Sequence, residues 1–463
     1  MKLRRFFSLF RQAVRGSQQD YTEGSIRKAV FLLAIPMIME MIMESVFAVV
    51  DIFFVGKLGN AAVATVGLTE SVLSLVYSLA IGLSMAATAL VARRVGEKNF
   101  KEAAHAGMQT ILFAIFLSVI VAVTGLFSAG SILRAMGADA NMIAENIRYT
   151  QIMFGGNIVI MLLFLINGIF RGAGDASIAM RSLWIANISN IILCPLLIYG
   201  FGPIPSLGLK GAAIATTAGR SIGVLYQLYR LFIRKGLLSF YLYQLKPQKE
   251  LLWQIVKIGS TGTMQFLVSS ASWIFLARLM AGFHEAAMAG YQVAIRLLIF
   301  FLLPAWGMSN AAATLTGQNL GAGKPERAEQ SVWITTVYNV IFMLSVSLFF
   351  FLFGEPIVNF MNSDIQARHF ALQALRIVSA GYVFFGVEMV MMNAFNGAGD
   401  TRTPTVVNLI GFWLFQIPLA WVLSTYYIRE PKAIFLAIVI SQFVTALLSF
   451  ILFKRGSWKK IKV

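Results

Sequence analysis

Residues 35–51, IPMIMEMIMESVFAVVD, set three carboxylates, Glu40, Glu44 and Asp51, into an otherwise apolar run. On a helix, at about 100° per residue, Glu44 lies about 40° round from Glu40, and Asp51 about 20° back from Glu44. All three therefore share one face, with Glu40 and Asp51 about 16 Å apart along the axis. An ionised carboxylate facing lipid at mid-bilayer costs at least ~2.5 kcal/mol. The stripe must line a cavity or a polar interior, where it can attract cations and exchange protons. Its other use is structural, with each acid paired to Arg or Asn on a neighbouring helix. Two more acids fall inside apolar runs, Glu70 and Glu388, the latter with Arg296 as a candidate ion-pair partner. His105, His284 and His369 are scattered at the ends of apolar runs, and Cys194 is the one cysteine. Neither a metal site nor an intrachain disulfide is expected. GAGKPE, residues 321–326, lacks the G-x-x-x-x-G-K-[ST] spacing of an ATP-binding loop. No residues suited to a catalytic role cluster at one depth, so no catalytic residue is assigned.

Composition defines the elements that carry these side chains. Of 463 residues, 58% are hydrophobic and 13% charged, against about 25% charged in soluble chains. Apolar stretches of about 20 residues, enough to cross a bilayer, recur along the whole length. Unbroken rather than alternating runs favour helices over a barrel. The sequence predicts an all-α polytopic membrane protein with twelve spans. They fall near 29–55, 62–91, 105–129, 144–169, 178–200, 209–233, 252–280, 287–316, 328–353, 370–395, 404–427 and 433–453. Of the 38 Lys and Arg, 27 fall on the side of the termini and about 9 on the other, with Arg220 and Arg296 inside spans. This bias predicts both termini in the cytoplasm. The net charge of +18 reads as topology and attraction to anionic lipid, not as a nucleic-acid footprint. MKLRRFFSLFRQAVRGSQQDYTEGS is a basic amphipathic stretch without a signal-peptide core, expected to lie on the membrane surface.

The chain repeats itself. GLSMAATALVARRVGEKNFKEA (82–103) aligns without a gap to GMSNAAATLTGQNLGAGKPERA (307–328), at an offset of 225. The same offset pairs NAAVA (60–64) with EAAMA (285–289), and IFRGAGD (169–175) with AFNGAGD (394–400). The expected organisation is a cytoplasmic basic segment 1–28, an N-lobe 29–233, a linker 234–250, a C-lobe 251–453 and a basic tail 454–463. Each lobe holds six spans, an even number. The lobes are therefore related by a pseudo-two-fold axis along the membrane normal, an arrangement suited to alternating access by rocking. In GAGD, glycines allow a tight turn, and Asp175 and Asp400 are expected to cap the following helix.

VVDIFFVGKLG closing the first span, GAGD after the fourth and tenth, and NLGAGKPERA after the eighth resemble the multidrug and toxic compound extrusion (MATE) family, prokaryotic type. The similarity runs from about residue 25 to the end. The resemblance implies a V-shaped pair of six-helix lobes. It also implies export of organic, often cationic, compounds against inward H⁺ or Na⁺. By the same resemblance, Asp51 matches the acid used for cation coupling. Asn190 and Thr216 match its polar partners, while Cys194 stands where an Asp is expected. Asn187 is a further amide on nearly the same face, and Glu40, Glu44 or Glu70 compensates for the missing acid. In the C-lobe, where the offset places Leu276 opposite Asp51, the family's alternative acids fall at Ser269, with Gln265 a turn earlier, and at Phe385, with Glu388 a turn on.

The function expected from this resemblance is a secondary antiporter exporting polyspecific, cationic drugs or metabolites across the bacterial or archaeal cytoplasmic membrane. It would work as a monomer in contact with lipid, with H⁺ or Na⁺ as coupling ion and no cofactor. Met37, Met41 and Met264 could offer soft surfaces to varied ligands. A lipid-linked oligosaccharide flippase of related fold is the alternative, and it needs cavity cations for a pyrophosphate. An intramembrane enzyme is a third, and it lacks a cluster of reactive groups.

Overall fold

In the computed structural model, which describes residues 2–16, 19–234, 236–361 and 364–461, the chain is a bundle of long helices. A short helix, α1 Lys2–Arg15, precedes the first lobe. That lobe holds α2 Ile26–Gly56, α3 Asn60–Gly96, α4 Phe100–Ala135, α5 Ala140–Gly155, α6 Asn157–Gly172, α7 Ala176–Tyr199 and α8 Gly208–Phe232. The second holds α9 Lys249–Ala281, α10 Glu285–Gly321, α11 Pro325–Met361, α12 Ile365–Ala380 and α13 Tyr382–Ala398. It continues with α14 Arg402–Asn408, α15 Ile417–Val422 and α16 Lys432–Arg455, with π-helical turns running on from α14 and α15. Among the described residues ten helical spans are long and apolar enough to cross a membrane, counting α5–α6 and α14–α15 as one span each. An eleventh is the pair α12–α13, bent by 53° at Gly381. The helix α8, which carries Lys210, Arg220 and Arg230, is not among them, yet its 25 residues are long enough to cross.

The repeat is written into the helix boundaries. The starts of α3 and α10, α4 and α11, α5 and α12, and α6 and α13 each differ by 225 residues. Local signals repeat with them. Asp139 and Asp364 each accept the backbone N–H three residues on, at 2.7 Å, and so begin α5 and α12. At the GAGD turns the capping differs. Asp400 accepts Thr403 N–H at 3.1 Å, whereas Asp175 makes no backbone cap and takes the Ser177 hydroxyl at 2.8 Å.

Each lobe buries its own apolar core. One runs through Leu83, Leu90, Leu163 and Ile166, the other through Leu298, Phe350, Tyr382 and Phe435. A third cluster joins α2 to α10 through Leu33, Met37, Met308 and Leu315. Between the lobes, α3 and α10 meet along a seam of glycines near the ends that carry both chain termini. A Cβ added at Gly96 would lie 2.0 Å from the Gln318 carbonyl oxygen, and one at Gly321 would lie 2.1 Å from that of Arg93. At Gly307 the obstacle is the Met37 carbonyl oxygen, at 2.5 Å, and at Gly82 that of Gly259, also at 2.5 Å. Thr314 and Gln318 reach across, donating to the Arg171 and Gly172 carbonyls at 3.0 and 2.9 Å.

The segments outside the bundle pack on it. Gln109 on α4 donates to the carbonyls of Gln244 and Lys246, at 2.8 and 2.9 Å, and so pins part of 234–250. At the C-terminal end Trp458 is fully buried against Phe453, and Lys459 Nζ lies 2.6 Å from Glu329. Arg93 of the first lobe donates to the Ile461 carbonyl.

Candidate functional site

The three acids of α2 do share a face, and the structure gives each a different partner. Glu40 is fully buried, accepting from Asn167 at 2.9 Å and pairing with Arg171 at 3.2 Å. Asn167 is itself held by Ser182 and Gln227, at 2.8 and 2.6 Å, and Arg171 also donates to Ser84 at 3.1 Å. These bonds tie Glu40 Oε1 to α3, α6, α7 and α8 and mark it as part of a structural network, while Glu40 Oε2 and Gln227 Oε1 have no partner among the described residues. Arg171 had the look of a loop charge in the sequence. The helix α6 continues to Gly172 and carries it inward.

One turn on, Glu44 is half-buried. It accepts from Asn187 at 3.2 Å and faces the buried Arg220 at 3.8 Å. Arg220 lies over the rings of Phe47 and Tyr77, each centroid 5.5 Å away, and its charge reaches Asp51 and Glu70 as well. Glu44 is thus the carboxylate in contact with this cation, with Asp51 and Glu70 within reach of its field. Asp51 is half-buried and meets the Cys194 thiol at 3.9 Å. Cys194 itself is fully buried, so it touches Asp51 from within the lobe and does not line open space. Asn190 donates to Thr216 at 3.0 Å, not to Asp51, and its own carbonyl oxygen has no partner among the described residues. Chemically, this cluster can hold a proton or a small cation on Asp51, Glu44 or Glu70. No group of three or more Asp, Glu, His or Cys among the described residues is arranged to hold a metal ion.

In the second lobe Glu388 accepts from Gln442 at 3.0 Å, while Arg296 is exposed and takes no part. Gln265 and Ser269 are joined through Asn408, which donates to the Gln265 carbonyl at 3.4 Å and the Ser269 hydroxyl at 2.8 Å. Glu388, Gln442, Gln265, Ser269 and Asn408 line an open cavity in the second lobe, which Ile81 and Met85 of the first lobe border. Half of its other lining residues are aromatic or methionine, among them Met85, Trp273, Trp306, Phe385 and Met392, and the rest are aliphatic or amide side chains. Toward the seam it joins a smaller space lined by Met41, Thr88 and Arg171. Of the methionines named from sequence, Met41 lines this space, Met37 is buried in packing and Met264 is exposed.

The repeat exposes a difference between the lobes. At 225 residues on, Glu40, Glu44, Asp51 and Glu70 become Gln265, Ser269, Leu276 and Ile295; Arg171 and Arg220 become Asn396 and Thr445. Every interior charge of the first lobe has a neutral counterpart in the second, and Glu388 stands opposite Leu163. Sequence reasoning passed over Arg171, Asn167, Gln227, Tyr77 and Gln442. The available signal was a polar residue inside an apolar run, read against the acids of other runs.

Two repeated helical lobes, a cavity closed at one end by their seam, and carboxylates buried beside it define a multi-pass membrane transporter. The chain belongs to the MatE family, whose profile matches residues 36–196 and 261–422. It is 26% identical over 441 residues to a protein of Thermotoga maritima named probable multidrug resistance protein NorM, covering 94% of each chain. An FAD transporter of Shewanella oneidensis is 24% identical over 409 residues, covering 88% of this chain and 90% of that one. A solved structure, described as the outward-facing conformation of a multidrug resistance MATE family transporter of the MOP superfamily, matches with a TM-score of 0.90. It is 26% identical and covers 96% of this chain and 99% of its own. Relatives are thus named as transporters, and an intramembrane enzyme is not supported.

Proposed function

We propose that this transporter exports small organic cations across the cytoplasmic membrane in exchange for H⁺ or Na⁺, with both termini in the cytoplasm and a single chain as the working unit. The observation that carries the reading is the unequal charging of the two lobes. The first holds Glu44 against Arg220, with Asp51 and Glu70 within reach of its charge, a group suited to taking up a proton or small cation. The second lobe, bordered by Ile81 and Met85 of the first, holds a cavity rich in aromatic and methionine side chains with Glu388 as its carboxylate, suited to varied apolar cations. A bound ion drives the lobes only by binding one conformation more tightly than the other. Asp51 and Glu44 lie on α2, which packs on α10 of the other lobe, so their charge state can bias the seam.

A flippase for a lipid-linked pyrophosphate fits less well. The buried Arg220 and Arg171 each already have a counter-charge, Glu44 and Glu40, although Arg220 Nε and Nη1 make no hydrogen bond among the described residues.

The test uses inverted vesicles loaded with this protein, a cationic dye, and ΔpH or ΔNa⁺ imposed separately. One gradient is expected to drive dye uptake into the vesicles, and Asp51→Asn to abolish it while the protein still reaches the membrane. Undiminished uptake by Asp51→Asn would overturn the coupling role of this acid. Equal uptake with both gradients collapsed would overturn antiport.

A further inference from the structure

The helix α1 and the turn after it lie outside the membrane spans, yet both lobes hold them. Arg181 of α7 donates to the carbonyls of Val14 and Arg15, at 2.9 and 2.7 Å. Lys98, at the end of α3, faces Asp20 at 3.5 Å. From the other lobe, Arg327 of α11 donates to the carbonyls of Gly24, Glu23 and Tyr21, at 2.9, 2.8 and 3.3 Å. Lys324 adds Thr22 O at 3.0 Å and the Glu23 carboxylate at 3.8 Å. Tyr21 is buried, close to Gly174 of the GAGD turn. Residues 14–16 and 19–24 thus straddle the seam, as a strap, at the end where α3 and α10 meet. The lobes cannot part there unless the strap lets go of the two side chains of one lobe, Arg181 and Lys98 or Lys324 and Arg327.

The helix feeding this strap has its own chemistry. Between residues 2 and 15 it carries Lys2, Arg4, Arg5, Arg11 and Arg15 and no acid. Arg4, Arg11 and Arg15 are exposed, and no carboxylate among the described residues pairs with them. Ala13 is buried, and Phe6 packs edge-on against Phe31 of α2. Phe6 and Phe7 still remain 49% and 61% exposed, a large apolar area to leave in water. Basic side chains with exposed aromatics at the foot of a membrane span match an acidic headgroup layer with acyl chains beneath it.

We propose that α1 docks on anionic lipid of the adjacent leaflet, and that this docking holds the strap across the seam and keeps the terminus-bearing face closed. Acidic headgroups then act as a ligand of the closed conformation. Opening toward the termini requires the strap to let go of Arg327 and Lys324, or α1 to leave the lipid.

The experiment measures the distance between spin labels at Lys101→Cys and Lys454→Cys, one on each lobe near this face, in a Cys194→Ser background. The full-length protein is reconstituted in phosphatidylethanolamine vesicles containing increasing phosphatidylglycerol. Both leaflets share one composition, so the result depends neither on the direction of insertion nor on what is carried. With acidic lipid the closed-to-open ratio is expected to rise at least about fivefold, the effect of roughly one basic residue at an acidic surface. In Arg4→Gln/Arg11→Gln/Arg15→Gln that rise should vanish. In Lys324→Gln/Arg327→Gln the face should open at every lipid composition, although α1 keeps its charge. A thermal unfolding midpoint within a few degrees of the parent shows that each variant is folded. A ratio indifferent to acidic lipid in the parent, or a triple variant that responds as the parent does, would overturn the proposal.

Discussion

At the scale of single residues, the structure sorts the buried acids by what they touch. Glu40 is committed to Arg171 and Asn167. Removing its charge leaves Arg171 in the interior without its counter-ion, a change that typically destabilises by about 3 kcal/mol. Glu40→Gln should therefore lower the thermal midpoint and the amount of protein in the membrane, while the molecules that fold keep gradient-driven efflux. Arg220 behaves differently, because it serves several carboxylates at once. Arg220→Gln and Glu44→Gln should not add. A double-mutant cycle on unfolding is expected to show a coupling of at least about 1 kcal/mol, since the second change removes a charge the first has stranded. Additive effects would mean that the 3.8 Å approach contributes nothing. The acids and their common face could be read from sequence, because a 3.6-residue period places them there whatever surrounds them. Their partners could not, because Arg171, Asn167 and Arg220 arrive from α6 and α8, far away in the chain. Only packing decides which acid each one meets. The matched pair Asn190 and Thr216 does bond, but Asp51 meets Cys194.

At the scale of elements, the seam between α3 and α10 rests on residues without side chains. Gly96→Ala would push a methyl group into the Gln318 carbonyl, and Gly321→Ala would do the same at Arg93. Backbone cannot swing aside as a long side chain can. Each substitution should force the helix ends apart and disfavour the closed seam, with efflux reduced at least about tenfold, equivalent to roughly 1.4 kcal/mol, and expression retained. Normal transport in both variants would show that the seam need not close this tightly. The alignment 82–103 with 307–328 revealed these glycines as repeated, but not as contacts with each other's helix. A repeat announces that two positions are alike; it is silent on whether they meet. Element boundaries were legible where polar caps interrupt apolar runs, as at Asp139 and Asp364. They were less so in the long helices, whose ends run past the apolar stretch. The expected span 62–91 is Asn60–Gly96 in the structure, ending in Arg93 and Arg94. Helices continue past the apolar limit where the exposed backbone can still bond to itself.

At the scale of the whole molecule, two lobes of one architecture carry different chemistry. Glu388 is the acid facing the cavity from the second lobe, with Gln442 as its partner. Glu388→Gln should shift preference away from cationic cargo and leave the driving gradient unchanged, as measured by competing a cationic with a neutral dye in the same vesicles. If Glu388→Gln instead uncouples transport from the gradient, the ion acts through the second lobe. The two-lobe plan was open to reading from one offset held across three blocks. The fully neutral counterparts of the first lobe's charges were equally present in the sequence, but they gained meaning only once the structure showed which charges face inward. The glycine seam has one more consequence, for the speed of the machine. Interlocked side chains must change rotamer to disengage, and each freed or trapped rotamer adds to the activation step. Smooth backbone surfaces slide apart with little such friction. Besides the apolar cluster between α2 and α10, what resists is a short set of discrete ties: the Thr314 and Gln318 hydrogen bonds, the Arg93 bond to Ile461 and the strap. The stroke is therefore gated by a few breakable fasteners while each lobe's packed interior stays intact, and the pace of the cycle can be changed by altering a fastener without redesigning either lobe.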